Sequence, residues 1–259
     1  MFSDNQLSAI LTTLNEASEI IMDVYNGFDP QTKYKEDNSP LTIADTKSNE
    51  HICKKLTEIF ANIPILSEEN KVQDFKQRQS WNKLWSLDPL DGTKEFIKKN
   101  GEFSINLCLI ENQRPTAGFI MIPAKDIIYY AIKDQGCFKV ENNQTTKISL
   151  RKSFESKNEI KIITSRSHIN ETTQKFIDSI AIKYPEKKVS TVPAGSALKF
   201  TLLAENQADI YPRLAPTMEW DICAGDIILS ECGLSLKTED GNEMLYNREN
   251  LVNPSFICK

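Results

Sequence analysis

The stretch Trp85 to Phe96 reads W-S-L-D-P-L-D-G-T-K-E-F, and every other part of the chain is best understood relative to it. The apolar residues Leu84 to Leu87 predict the end of a strand. Asp88 and Asp91 follow, with Pro89 between them and Gly92 after them. Pro89 has no N–H and a fixed φ, and Gly92 can adopt backbone angles closed to other residues, so a rigid turn is expected here. A helix should begin near Thr93. A strand, two carboxylates on a turn and a helix start together offer oxygen ligands for a hard cation and free N–H groups for an anion. The same D-x-x-D spacing also serves an acidic turn that caps a helix. Other parts of the chain must decide between the two.

With 259 residues the chain is long enough for one large domain or two lobes with a substantial core. A net charge of -5 leaves no electrostatic footprint for a nucleic acid polymer. Cys53, Cys108, Cys137, Cys223, Cys232 and Cys258 are widely spread, several among apolar neighbours, and read as reduced thiols. His51 and Cys53 have no second pair to complete a zinc site. The N-terminus lacks the pattern of a secretory signal, and the longest apolar run, Ile127 to Ile132, is too short to cross a bilayer. A soluble, cytoplasmic protein with no transmembrane segment is expected. No amphipathic basic helix argues for docking on a membrane surface.

Along the chain, Ser3 and Gln6 form a capping box for a helix whose apolar residues run from Leu7 to Val24 and which stops at Gly27. Lys33 to Asp45 is polar and turn-rich, a loop or hairpin. A second helix buries Ile52, Leu56, Ile59 and Phe60, and a short strand lies at Ile63 to Leu66. After the central stretch, Phe103, Ile105, Leu107 and Leu109 alternate as a half-buried strand does, followed by strands at Ala117 to Ile122, Ile127 to Ile132, Cys137 to Val140 and Thr146 to Leu150. The second half alternates: strands at Ile160 to Thr164, Lys188 to Val192 and Ala208 to Tyr211, and helices at Asn170 to Lys183, Ser196 to Glu205 and Asp221 to Glu231. The reading is α+β. Residues 1–152 form a lobe with an antiparallel sheet and most of the acidic ligands; residues 153–259 form an α/β lobe with a mixed sheet.

Glu68, Asp88, Asp91 and Asp221 share one feature: each sits where an apolar run ends or a helix begins. Rigid backbone at such places suits a preorganised metal site. Four carboxylates without nearby histidines favour Mg²⁺, or Mn²⁺, over zinc. Singly, Glu68 could be a surface charge and Asp221 a helix cap.

Taken in order, Glu68-Glu69, Asp88-Pro89-Leu90-Asp91-Gly92-Thr93 and Trp220-Asp221-Ile222-Cys223-Ala224-Gly225 resemble the signatures of the inositol monophosphatase-like superfamily of metal-dependent, lithium-sensitive phosphatases. The resemblance covers nearly the whole chain. It implies an αβαβα layered sandwich with the site between two lobes. It implies that Glu68, Asp88 and the Leu90 carbonyl hold one Mg²⁺ and that Asp88, Asp91 and Asp221 hold another, with two or three ions in the site. It also implies that Gly92 and Thr93 offer N–H groups to the phosphate, and that Asp45 and Thr93 position and activate the attacking water.

Further segments resemble the CysQ-type 3'(2'),5'-bisphosphate nucleotidases of that superfamily: K-E-D-N-S-P-L-T-I-A-D at 35–45, S-R-S-H at 165–168, A-G-S-A-L-K-F at 194–200 and A-D-I-Y-P-R-L-A-P-T-M-E-W-D at 208–221. The implied reaction removes the 3'-phosphate of adenosine 3',5'-bisphosphate, giving AMP and phosphate. The resemblance places Ser196, Lys199, Arg213 and His168 near the nucleotide and turns Glu219 toward substrate hydroxyls. A non-reacting phosphate needs cationic donors, which Arg and Lys supply. Taken alone, Lys199 reads equally as a solvated surface lysine, Arg213 as half of a surface ion pair and His168 as a loop hydrogen-bonder. Ala197 stands where a second serine is frequent in these nucleotidases, and Leu214-Ala215 where a glycine is, which bears on substrate preference. The alternatives are an inositol or sugar-phosphate monophosphatase and, from another class, a non-catalytic nucleotide-binding regulator. Either a monomer or a homodimer fits.

Overall fold

The computed structural model describes residues 2–27, 33–34, 40–150, 153–166 and 170–259. Helix α1 (Asp4–Asn26) starts on the Ser3/Gln6 capping box and ends at Gly27. A two-residue ladder pairs β1 (Lys33–Tyr34) with β2 (Pro40–Leu41). Helix α2 (Ile43–Ile59) follows at once, because Thr42 and Asp45 form a second capping box. Asp45 therefore lies in the first turn of a helix, not in the loop expected over Lys33 to Asp45. Then come β3 (Ile65–Ser67), α3 (Phe75–Arg78), β4 (Lys83–Asp91) and α4 (Thr93–Ile97). An antiparallel meander continues through β5 (Ser104–Glu111), β6 (Arg114–Ile122), β7 (Ile127–Ile132), β8 (Gly136–Glu141) and β9 (Gln144–Ile148).

The main sheet has the order β3-β4-β5-β6-β7-β8-β9, parallel only between β3 and β4. The central stretch departs from expectation in an instructive way. Strand β4 does not stop at Leu87 but runs to Asp91, and its register against β5 passes from Asp88↔Asn106 to Asp91↔Ser104. One extra residue on β4 makes a β-bulge where a turn was expected, and Pro89, with no N–H to donate, fits there. The bulge has a consequence. Residues three apart on a regular strand point to opposite faces, but the extra residue returns Asp88 and Asp91 to the same face.

Strand β5 is buried on both faces, where the alternating pattern predicted burial on one. Phe103, Ile105 and Leu107 pack with Trp85 and Leu87 under α1 and α2. Cys108 and Ile110 pack with Leu84 on the other side, against α7. The second half comprises β10 (Glu159–Ser165), α5 (Glu171–Lys183), β11 (Lys188–Ala194), α6 (Leu198–Ala204), β12 (Tyr211–Arg213), α7 (Glu219–Glu231), β13 (Leu236–Thr238) and β14 (Phe256–Cys258). The last two strands, three residues each, gave no sequence signal. Strands β10 and β11 pair in parallel, β12-β14-β13 form an antiparallel ladder, and a bridge from Ile162 to Ile210 joins the two sets. One face of this second sheet packs on α6 and α7; its other face, through Ile160, Ile162 and Ile210, takes Ile177 of α5.

The layers are thus α1/α2, the main sheet, α6/α7, the second sheet and α5: the αβαβα sandwich. Helix α7 is the inner layer. It approaches β6 so closely that a Cβ on Gly118 would lie 2.7 Å from the Ala224 carbonyl oxygen. Among the described residues no helix is long and apolar enough to cross a membrane, and none of the six cysteines forms a disulfide.

Candidate active site

Three elements deliver carboxylates to one point. Glu68 follows β3, and its N–H donates to the Leu87 carbonyl at 3.1 Å, fixing it beside β4. Asp88 enters from the β4 bulge, and Asp221 from the first turn of α7. Their oxygens lie within 4.8 Å of one another. Asp88 is buried, and burial, with the charges of Glu68, Asp91 and Asp221 behind it, pushes its carboxyl well above the usual range. Asp221 is raised too, by burial first and then by Asp91, while its hydrogen bond from the Met218 N–H at 2.8 Å opposes the shift. Buried like charges gathered this closely call for a counter-charge, and the donors are all oxygen, the set a hard divalent cation prefers. The residues present therefore fit a metal centre. Asp91 stands outside that trio but lines the same cavity, with Leu90.

The bulge is held from behind. Ser48 Oγ of α2 donates to the Pro89 carbonyl at 3.0 Å, and the Leu90 N–H donates to Asp88 Oδ1 at 3.0 Å. Gly92 closes it at φ +90°, and a Cβ there would meet the Glu102 carbonyl at 2.9 Å. Only glycine suits that position.

Asp45 and Thr93 meet beside this turn. Asp45 Oδ2 accepts from the Thr42 N–H at 2.7 Å and its hydroxyl at 2.6 Å, while Oδ1 accepts from Thr93 Oγ1 at 3.1 Å. The Thr93 hydroxyl also lies 3.3 Å from the Leu90 carbonyl. Burial raises the Asp45 carboxyl, and the bonds from Thr42 and Thr93 partly offset the rise. An anchored carboxylate behind a hydroxyl can receive a proton passed through it.

Two cavities adjoin. One, about 440 Å³, contains Glu68, Asp88, Leu90, Asp91, Thr93 and Asp221. The other, about 460 Å³, shares Asp91, Gly92, Arg213 and Asp221 with it and extends to Arg166, Ser196, Lys199 and Tyr211. Lys199 is only 8% exposed, which excludes a solvated surface lysine. Its Nζ donates to the Ser196 carbonyl at 3.0 Å and lies 5.7 Å from the Tyr211 ring centroid. Burial pulls the ammonium below its ordinary value, with Asp91 opposing and Arg213 reinforcing. Arg213 donates from Nη2 to the Pro216 carbonyl at 3.0 Å, and its buried Nε has no hydrogen-bond partner. Among the described residues neither cation has a carboxylate within ion-pair distance.

One expected substrate contact requires correction. Glu219 is fully buried and lines neither cavity; it accepts from the Asn247 N–H at 2.5 Å, the Arg248 N–H at 3.1 Å and Arg248 Nε at 3.0 Å. It lies two residues before Asp221, some 200° around the helix, so the two carboxylates face opposite ways. Ser196 lines the cavity, but at φ +49° its hydroxyl turns to Asp91 Oδ2 and to Ser104 Oγ, each 2.7 Å away. In this arrangement Ser196 braces Asp91 from the cavity wall. His168 lies outside the described residues. Sequence reasoning missed Lys94 and Lys98, which line the second cavity one helical turn apart, and Asn106, whose Nδ2 reaches Asp91 Oδ2 at 3.4 Å. The i, i+4 lysine spacing after Gly92-Thr93 was the available signal for the first pair; nothing local marks Asn106.

The comparisons agree with this fold. The model of the inositol monophosphatase family matches residues 4–256. The 3'(2'),5'-bisphosphate nucleotidase CysQ of Salmonella typhimurium LT2 is 35% identical over 252 residues, 96% of this chain and 98% of that one. The CysQ of Buchnera aphidicola is 37% identical over 256 residues, covering 97% of this chain and 92% of that protein. The crystal structure of CysQ from Bacteroides thetaiotaomicron, described as a bacterial member of the inositol monophosphatase family, superposes with a TM-score of 0.86 at 37% identity, over 100% of this chain and 97% of that one. Layer order, convergent carboxylates and full-length similarity lead to one conclusion: this chain belongs to the inositol monophosphatase family.

Proposed function

We propose that this chain is a metal-dependent 3'(2'),5'-bisphosphate nucleotidase, a phosphomonoesterase that hydrolyses the 3'-phosphate of adenosine 3',5'-bisphosphate to give AMP and phosphate. One observation carries the substrate assignment. Lys199 is a buried cation and Arg213 a partly buried one with a buried, unpartnered Nε; among the described residues neither has a carboxylate within ion-pair distance, and both line a cavity that opens onto the carboxylate cluster. Buried charge without a counter-ion is costly, and an anionic ligand supplies the missing partner. A substrate with a second phosphate, one at the carboxylates and one at the cations, satisfies both ends. The CysQ relatives carry this activity in their names.

Glu68, Asp88, the Leu90 carbonyl, Asp91 and Asp221 are the groups that would hold Mg²⁺, with Mn²⁺ as the alternative. When bound, such ions acidify water and neutralise charge that develops on the phosphoryl oxygens and the leaving group. The chain supplies the rest. Gly92 and Thr93 offer N–H groups to the reacting phosphate at the start of α4. Thr93 Oγ1 accepts a proton from the attacking water while its own proton passes to Asp45 Oδ1; the water oxygen bonds to phosphorus as the bond from phosphorus to the 3'-oxygen breaks, and the departing 3'-oxygen takes a proton from solvent water to become the hydroxyl of AMP. Thr42 keeps Asp45 from turning away. Lys199 and Arg213 hold the other phosphate, so that only one ester reaches the water.

The test is phosphate release from adenosine 3',5'-bisphosphate and from myo-inositol 1-phosphate, each with Mg²⁺ and with EDTA. Mg²⁺-dependent release that favours the bisphosphate is expected, and Lys199→Met should impair the bisphosphate far more than the monophosphate. Preference for the inositol ester would overturn the substrate assignment.

A further inference from the structure

The cavity of Lys199 and Arg213 contains another guanidinium, and its surroundings are the reverse of those of Arg213. Arg166 follows β10 and lies about half exposed on the cavity wall. Its Nε donates to Glu102 Oε2 at 2.8 Å and its Nη2 donates to Glu102 Oε1, a two-pronged pairing along one edge of the group. Nη2 also reaches the Pro193 carbonyl at 3.5 Å. Glu102 is fixed in turn by the Gly195 N–H, 2.9 Å from Oε2.

This pairing changes what Arg166 can recognise. Its charge is balanced, and the Nε/Nη2 edge that would grip a phosphate is occupied by a carboxylate. Lys199 and Arg213 keep their charge for an anion; Arg166 keeps a flat, delocalised face held in one plane. Such a face binds planar aromatic rings by stacking. We propose that Arg166 is a specificity residue on which the base of the nucleotide stacks, and that Glu102 is the positioning residue that sets its plane. The proposal rests on the bisphosphate nucleotidase reading and adds the part of the substrate that an inositol ring lacks. A cavity of about 460 Å³ is of the size that takes a small ligand of this kind.

The experiment measures equilibrium binding of AMP and of ribose 5-phosphate by calorimetry, in Mg²⁺, for the wild type, Arg166→Ala, Arg166→Lys and Glu102→Gln. Arg166→Ala should weaken AMP about tenfold, the usual scale for losing one base stack, and leave ribose 5-phosphate unchanged. Arg166→Lys retains the charge but not the plane and should behave as Arg166→Ala. Glu102→Gln should give an intermediate loss confined to AMP. In steady-state hydrolysis of adenosine 3',5'-bisphosphate the same variants should raise KM with kcat nearly constant. Equal weakening of both ligands, full rescue by lysine, no loss in Arg166→Ala, or no AMP binding to the wild type would each overturn the assignment. A wild type that binds AMP yet releases no phosphate from the bisphosphate would overturn the nucleotidase reading instead and leave the stacking site standing.

Discussion

The Ser196 hydroxyl donates to Asp91 Oδ2 at 2.7 Å and joins the segment before α6 to the bulged end of β4. Ser196 adopts a left-handed backbone, φ +49°, to make this bond, and Ser104 stands 2.7 Å behind it. A carboxylate beside the acidic cluster of Glu68, Asp88 and Asp221 is thus aimed by a residue 105 positions away in the chain.

That bond has a measurable value. Removing a hydrogen bond to a charged group costs about 1.5–3 kcal/mol, so Ser196→Ala should lower kcat/KM by roughly tenfold or more. The loss should come with a higher Mg²⁺ concentration for half-maximal activity, because Asp91 is no longer aimed. A variant with reduced activity but an unchanged Mg²⁺ requirement would rule out the brace and return Ser196 to substrate contact.

Asp45 and Thr93 are predicted to act as a unit. Asp45→Asn preserves shape and the bonds from Thr42 but cannot receive a proton, so kcat should fall by about 10²–10⁴-fold with KM little changed. Thr93→Ala should fall comparably, and Thr93→Ser should recover most of the rate because it keeps the hydroxyl near Asp45 Oδ1. If the double variant Asp45→Asn/Thr93→Ala is much slower than either single one, the two residues act independently and the relay is wrong.

Residues on either side of one local signal were legible in the sequence; residues joined only by the fold were not. Asp88-Pro89-Leu90-Asp91-Gly92-Thr93 and Trp220-Asp221 could be read because apolar runs stop at their carboxylates. Even there, alternation could not reveal the bulge that turns Asp88 and Asp91 to one face, since a proline and a glycine signal a turn just as well. Asp45 was expected to position the attacking water but was placed on a loop, although Thr42 and Asp45 have the spacing of a capping box. Glu219 was misassigned because proximity in sequence to Asp221 says nothing about which side of a helix faces the cavity. The pairing of Arg166 with Glu102 spans 64 residues and leaves no periodicity to detect.

Asp88 should stabilise the metal-bound protein and destabilise the metal-free one. Its carboxyl is raised by burial and by three neighbouring carboxylates, so without a cation, in EDTA, ionising it works against the fold. Asp88→Asn should raise the Tm of the stripped protein, by about 2–4 °C for each kcal/mol of relieved repulsion in a chain of this size. The same substitution should abolish the rise in Tm on adding Mg²⁺. Thermal melts with and without Mg²⁺ check both halves, and a Tm that still climbs with Mg²⁺ in the variant would remove Asp88 from the metal site.

Asp226, five residues beyond Asp221 on α7, predicts a pH effect of defined sign. Tyr246 donates to its Oδ2 at 2.9 Å, Arg114 Nη1 lies 3.5 Å from the same oxygen, and burial pushes its carboxyl up to about 6 despite both neighbours, Glu243 adding to the rise. In the unfolded chain an aspartate ionises near 3.9, so between pH 4 and pH 6 the native state binds the extra proton. The stabilisation is complete below pH 4 and is lost as pH rises through 6, a total of about 3 kcal/mol at 1.36 kcal/mol per pKa unit. Asp226→Asn keeps an oxygen for Tyr246 and cannot ionise. Relative to wild type, its unfolding free energy should therefore gain ground steadily from pH 4 to pH 6 and then hold a constant margin. Urea titrations of both proteins across that window decide the matter. Parallel curves would mean that Asp226 does not titrate on unfolding, and a margin that shrinks with pH would mean that the Arg114 ion pair outweighs burial.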